Sequence, residues 1–287
     1  MHRFKEREKM DQNKKLELSK FAVQIRMNIV EQLKTFGVGH IGGCLSIADT
    51  IAVLYGDVMK YDPQNPGWAD RDKLVMSKGH AGPAVYAALA LKGFFPAEML
   101  HTLNQGGTHL PSHCDRNKTP GIDMTTGSLG QGSSLAIGMA LGDKLKGRDS
   151  RTFLICGDGE INEGQFWEAV MFAGAKKINN LVIMVDNNKK QLDGTTEEVL
   201  NIGDICEKLK AFGLDARRID GNNIEELYNS LKETGTNGKP TALVLDTVKG
   251  KGIVEVENTY ANHSMTVTKE TGDKWIAELQ AEYDRLG

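Results

Sequence analysis

The chain has 287 residues, of which 40% are hydrophobic and 25% charged, the profile of a folded globular protein with one large domain or two small ones. Its 35 Lys and Arg against 38 Asp and Glu leave a net charge of -3. That balance argues against partners held by bulk attraction, such as nucleic acid or an anionic membrane.

Residues 1–16 read as a charged arm and 17–287 as one α/β domain. Met1 to Lys15 lacks the apolar stretch of a secretory signal, and no run approaches the roughly 18 apolar residues of a membrane helix. A first helix places Leu18, Phe21, Ile25, Ile29, Leu33 and Phe36 at spacings of three and four, with Gly37 as its C-cap. Ser46 and Asp49 form a capping-box pattern ahead of Ile51, Leu54 and Tyr55. The Pro- and Gly-bearing stretch 62–71 is a predicted loop.

Short apolar runs at 74–76, 153–156, 181–185 and 243–245 then alternate with helical segments at 82–91, 134–146, 163–175, 203–212 and 223–233. This alternation predicts a three-layer α/β/α fold with a mainly parallel sheet. Asn162 and Gln165 read as a capping pair for the helix 163–175, whose two adjacent apolar stripes imply burial against the sheet and against another subunit. A last helix carries Trp275, Leu279, Tyr283 and Leu286. Cys44, Cys114, Cys156 and Cys206 form no Cys-x-x-Cys pair and predict buried free thiols, as in a reducing cytoplasm.

The run Phe153-Leu-Ile-Cys stops at Gly157-Asp158-Gly159, and the run Leu181 to Val185 stops at Asp186-Asn187-Asn188. Asp158 and Asn188 are thirty positions apart, about the length of a strand, crossover helix and strand. A right-handed crossover puts both beyond the carboxyl ends of parallel strands, where open α/β sheets bind ligands. One carboxylate and one amide oxygen suit a Mg²⁺ ion that completes its octahedron with phosphate and water. The pattern points to a metal-bridged diphosphate.

Gly157-Asp158-Gly159 followed by Asn187-Asn188 resembles the thiamine diphosphate signature, and the surrounding blocks resemble the N-terminal half of transketolase. Those blocks are Thr35-Phe-Gly-Val-Gly-His40, Asp70-Arg-Asp with Ser77-Lys-Gly-His80, and Thr125-Thr-Gly-Ser-Leu-Gly-Gln-Gly132. Glu160-Ile-Asn-Glu-Gly164 and Lys249-Gly-Lys-Gly252 complete the set. The resemblance implies that Asp158, Asn188 and the backbone carbonyl of Lys190 hold Mg²⁺ or Ca²⁺. It implies cofactor contacts by the Gly159 amide, by Gly127 and Leu129 at the aminopyrimidine, and by His80. Glu163 matches an acidic residue near the interface that connects two cofactor sites.

His40, His80, His113 and His263 match histidines that line the channel above the thiazolium, bind sugar hydroxyls and move protons. Ser264 stands where relatives usually have Gly, so His263 is the weakest of these four matches. His2, His101 and His109 read as ordinary surface or core residues. Lys249 and Lys251 stay open between a solvated loop and a place near the cofactor.

No glutamate here matches the one that protonates the pyrimidine ring in the family's other half. The resemblance therefore implies the N-terminal subunit of a split transketolase, which moves a two-carbon ketol unit from a ketose phosphate to an aldose phosphate. The implied partners are a separate C-terminal subunit, without which activity is negligible, and a second copy of this chain, giving a heterotetramer. Other readings are a deoxyxylulose phosphate synthase-like enzyme, the α subunit of a 2-oxo acid dehydrogenase, or a non-catalytic thiamine diphosphate-binding module.

Overall fold

The computed structural model describes residues 10–287; positions 1–9 of the expected arm, His2 among them, lie outside the described residues. Seven strands occur among the described residues: β1 (Val38–Gly39), β2 (Lys73–Met76), β3 (Thr152–Gly157), β4 (Leu181–Asn187), β5 (Asp215–Asp220), β6 (Thr241–Asp246) and β7 (Met265–Thr266). The strands β2-β3-β4-β6-β5, in that order, form one parallel sheet, and β1 pairs antiparallel with β7.

Alternating residues of the central strands enter two separate cores, as the period of two along a strand demands. On one face Phe153, Ile155, Val182, Met184, Leu243 and Leu245 pack beneath the helices Gln12–Phe36, Gly82–Leu91, Ile224–Lys232 and Lys269–Arg285. On the other, Leu154, Cys156, Ile183, Val185, Ala242 and Val244 meet the helices Gln131–Leu145, Gly164–Ala175 and Ile205–Ala211. Burying a Leu, Ile or Phe side chain fully contributes roughly 1.5–3 kcal/mol. The expected three-layer parallel architecture is therefore present, and all four cysteines are free and buried.

The first helix starts at Gln12, with the Asp11 carboxylate accepting from the Asn13 amide, and ends as expected. Gly37 adopts φ 95°, and its N–H donates to the Leu33 carbonyl. Two expected caps do not form. Ser46 closes the short helix Ile41–Leu45 and donates its hydroxyl to Asp186 Oδ2 at 2.7 Å. Asp49 receives the Arg26 guanidinium at 2.6 Å. Charged partners make stronger hydrogen bonds than a neutral helix-end amide, and they decide both side chains.

Asn162 ends a 3₁₀ turn, Glu160–Asn162, and the helix Gly164–Ala175 begins at Glu163 without a side-chain cap. Gln165 donates instead to the Ser134 hydroxyl.

Two further differences concern apolarity. β5 departs from the sequence expectation, because Asp215, Arg217, Arg218 and Asp220 make it polar; as an edge strand it buries only Ala216 and Ile219. The stretch Ile41–Val58 is long and apolar enough to cross a membrane by length and composition, yet 89% of it is buried inside the fold. It is split between the helices Ile41–Leu45 and Ala48–Val53 and a π turn, Leu54–Val58.

Candidate active site

Parallel pairing of β3 with β4 sets Gly157 beside Asp186, which places Asp158 and Asn188 just past the carboxyl ends of adjacent strands. Lys189 turns the chain there with φ 63°. Successive amides then meet the two side chains: Lys189 N donates to Asp158 Oδ2, and Lys190 N donates to Asn188 Oδ1 at 3.2 Å. Asp158 Oδ1 accepts from the Gly159 amide at 2.8 Å. Gly159 is required by close approach, since a Cβ there would lie 2.8 Å from Gln191 Cβ.

Asp158 is only 5% exposed. Burial, with the neighbouring negative charge of Asp186 adding to it, pushes its carboxyl up to about 7.

One cavity of about 390 Å³ opens at this edge. His40, His80, His113, His263, Gly127, Leu129, Asp158, Gly159, Glu163, Asn188 and Lys190 all line it, so residues spread over most of the sequence converge on one space. The His40 ring centroid lies 5.3 Å from His80, 5.3 Å from His263 and 6.0 Å from His113. Burial lowers all four, helped by Lys78 at His80 and by Lys249 at His263, which falls to about 4. Four imidazoles that are neutral at pH 7 can each accept a proton or a hydrogen bond. His101 and His109 are exposed and do not line this cavity.

Several cavity residues carry no sequence signal of their own. Lys78, 1% exposed, donates to the fully buried Asp186 at 2.6 Å and to the Gly43 carbonyl at 2.7 Å. Burial alone would raise the Asp186 carboxyl, but the Lys78 ammonium and the Thr247 and Ser46 hydroxyls outweigh it and hold it below the usual range. Buried Glu160 ties three loops together, accepting from the Ser77 hydroxyl and from the Gly130 and Gly157 amides. Lys78 lies inside a block that resembles the family, but an ion pair between positions 78 and 186 has no local sequence pattern.

The structure also separates the two lysines left open by the sequence. Lys249 lines the cavity, donates to the Lys190 carbonyl at 2.9 Å and lies 3.2 Å from His263 Nδ1. Burial and the charge of Lys78 bring it down to about 8. Lys251 points elsewhere, 4.0 Å from Glu257.

Among the described residues, no group of three or more His, Cys, Asp and Glu is arranged to hold a metal. The donor set at this edge is of another kind: one carboxylate, one amide oxygen and one backbone carbonyl, an incomplete set that suits a hard ion sharing its shell with phosphate. Two side-chain atoms of cavity residues, Asn162 Oδ1 and Gln191 Nε2, are buried without a hydrogen-bond partner. Both atoms are available to pair with a polar group entering the cavity. On both counts the residues fit a divalent ion with a polar, phosphorylated cofactor.

Residues 18–283 match the family model for the transketolase thiamine diphosphate binding domain. The chain is 48% identical over 268 residues to 6-deoxy-6-sulfo-D-fructose transketolase subunit SqwG of Clostridium sp. (strain MSTE9), covering 93% of this chain and 98% of that one. It is 36% identical to an apulose-4-phosphate transketolase subunit of Phocaeicola vulgatus, covering 91% and 93%. Its fold superposes on transketolase from Leishmania mexicana with a TM-score of 0.85 and 31% identity, over 93% of this chain and 41% of that one. The chain thus belongs to the transketolase family and corresponds to its N-terminal, thiamine diphosphate-binding half.

Proposed function

We propose that this chain is the cofactor-binding subunit of a two-chain transketolase that moves a two-carbon ketol unit from a ketose to an aldose. The observation that carries this reading is the convergence of Asp158, Asn188, Lys190 and four histidines on one cavity. Relatives of matching length that carry the word subunit in their names support a separate partner chain.

In this reading Asp158, Asn188 and the Lys190 carbonyl would hold Mg²⁺ or Ca²⁺, and the Gly159 amide and His80 would be available to the diphosphate. Gly127 and Leu129 face the aminopyrimidine. Thiamine diphosphate, when bound, would supply the electron sink for carbon–carbon cleavage of the ketose. His40, His113 and His263, neutral at pH 7, orient sugar hydroxyls and take up or return the protons that cleavage and transfer require. Lys249, which donates to the Lys190 carbonyl, would also place its ammonium near an anionic ligand in the cavity. The partner chain, closing over the cavity, would exclude water from the reaction.

The partner supplies the pyrimidine-binding face, including the glutamate that protonates the ring. The exposed apolar face of the helix Gly164–Ala175, with Met171 54% and Phe172 40% exposed, supports contact with a second copy of this chain. Glu163, exposed at the start of that helix, then stands near the contact, and two copies of each chain make a heterotetramer. Four buried free thiols support a reducing, cytoplasmic setting.

Substrates are ketoses and aldoses with an anionic terminal group, phosphate foremost and sulfonate by likeness to the sulfo-fructose relative. The test supplies the chain with thiamine diphosphate, Mg²⁺ and a ketose phosphate or 6-deoxy-6-sulfofructose, with and without the partner. Transfer only in the presence of the partner is expected. Robust turnover by the lone chain, or turnover of pyruvate in place of a ketose, contradicts the proposal.

A further inference from the structure

The carboxylate of Asp186 stands at the end of β4, two residues before Asn188, and is fully buried. Four side chains surround it. Oδ1 accepts from the Thr247 hydroxyl, and Oδ2 accepts from Lys78 Nζ at 2.6 Å, Ser46 Oγ at 2.7 Å and Asn188 Nδ2 at 2.7 Å. Three of these four donors converge on Oδ2, and the Lys78 ammonium among them balances the carboxylate's charge, so Asp186 is committed to its protein partners. It nevertheless adjoins the carboxylate of the cation site, because the Asp158 amide donates to its backbone carbonyl at 3.2 Å.

Two consequences follow for Asn188. A side-chain amide has two orientations of nearly equal shape, and the hydrogen-bond network chooses between them. With Nδ2 held by Asp186, Oδ1 turns away from that carboxylate to where Lys190 N meets it at 3.2 Å. The flipped amide would set its oxygen against a carboxylate. The second consequence is electrostatic: Lys78, 2.6 Å from Asp186, offsets its charge, so the cation site is less negative than two unpaired carboxylates would make it, and a bound ion would keep positive charge with which to attract a diphosphate.

We propose that Asp186 and Lys78 are positioning residues for the cation site, the first fixing the Asn188 amide with its oxygen toward the ion and the second offsetting the charge this requires. The proposal rests on the thiamine diphosphate reading given above. It assigns neither residue a contact with the cofactor.

The test is a Mn²⁺ titration, read by electron paramagnetic resonance, of the full chain assembled with its partner in the presence of thiamine diphosphate. Wild type is compared with Asp186→Asn and with the charge-neutral double variant Lys78→Met, Asp186→Asn. Asp186→Asn is expected to weaken Mn²⁺ binding by about tenfold or more, the range found for groups that orient metal ligands. The double variant restores the net charge and a foldable neutral interior, so it recovers part of that loss and stays several-fold weaker than wild type. Its metal-free melting temperature stays near the wild-type value, a combination that a purely structural role would not give.

Wild-type Mn²⁺ affinity in the double variant overturns the orienting role, and wild-type affinity in Asp186→Asn overturns the proposal outright. Wild type that fails to bind Mn²⁺ overturns the cofactor reading itself, and this proposal with it.

Discussion

The core beneath the first and last helices and the carboxyl edge of the sheet are built on opposite terms. Around Trp275 the packing is closed: the ring is 1% exposed, Leu279 is fully buried, and the indole N–H donates to Glu255. At the edge, Asn162 Oδ1 and Gln191 Nε2 have no partner, a buried carboxylate is held near pH 7, and four histidines are kept neutral. The first region gains stability from its neighbours. The second keeps polar and titratable groups facing a cavity, where a ligand can pair with them, at a cost in stability of the kind functional sites commonly carry.

The comparison is broken most strongly by substitutions that carry an effect from one region into the other. Trp275→Ala is expected to cost about 3–5 kcal/mol of stability, measured by urea unfolding, with cofactor affinity unchanged wherever the protein is folded. A loss of affinity in the folded fraction would show that the two regions are coupled.

Asp158→Asn works in the opposite sense in protein free of divalent ions. The folded-state pKa of Asp158, about 7, lies above its unfolded value of 3.8, so the folded chain holds a proton that the unfolded chain releases. Stability from this group is full below pH 3.8 and is lost as pH rises toward 7, a total of about 4 kcal/mol by linkage. The lowered histidines act the other way, losing stability as pH falls below 6.5. The difference between variant and wild type isolates Asp158: Asp158→Asn should gain on wild type by about 4 kcal/mol between about pH 4 and pH 8. Parallel pH profiles for the two proteins would contradict a carboxylate whose burial outweighs its two backbone hydrogen bonds.

The smallest effect on stability is expected at a third place, the exposed face of the helix Gly164–Ala175. Met171→Glu should change the stability of the chain by no more than about 0.5 kcal/mol, because the side chain is 54% exposed. The same change should abolish self-association in sedimentation measurements if that face meets a second copy. A variant that still dimerises would remove this face from the interface.

Much of the closed region is legible in the sequence. Leu18, Ile25, Ile29 and Leu33 repeat at helical spacing and are all buried, and Gly37 ends that helix with its left-handed φ. The apolar runs of β3 and β4 declare buried parallel strands, and the residues that end them, Asp158 and Asn188, line the same cavity.

What escapes has a physical cause in each case. β5 is a sheet-edge strand whose Asp215 and Arg217 pair with each other, so its sequence looks like a loop. Ser46 reads as a helix cap because its partner, Asp186, is 140 positions away. Lys78 and Asp186 are two ordinary charges in sequence and a single buried pair in space. Patterns of spacing report local geometry, while long-range polar pairing is decided by the fold.

The central claim is that an ion held by Asp158 and Asn188 fastens thiamine diphosphate at the carboxyl edge. The most direct test is calorimetric titration of thiamine diphosphate into the chain assembled with its partner, with Mg²⁺ and after its removal, for wild type and Asn188→Ala. Chelation is expected to weaken wild-type binding by about tenfold or more, and Asn188→Ala with Mg²⁺ to resemble the chelated wild type. Equal affinity with and without Mg²⁺, unchanged by Asn188→Ala, would contradict that claim.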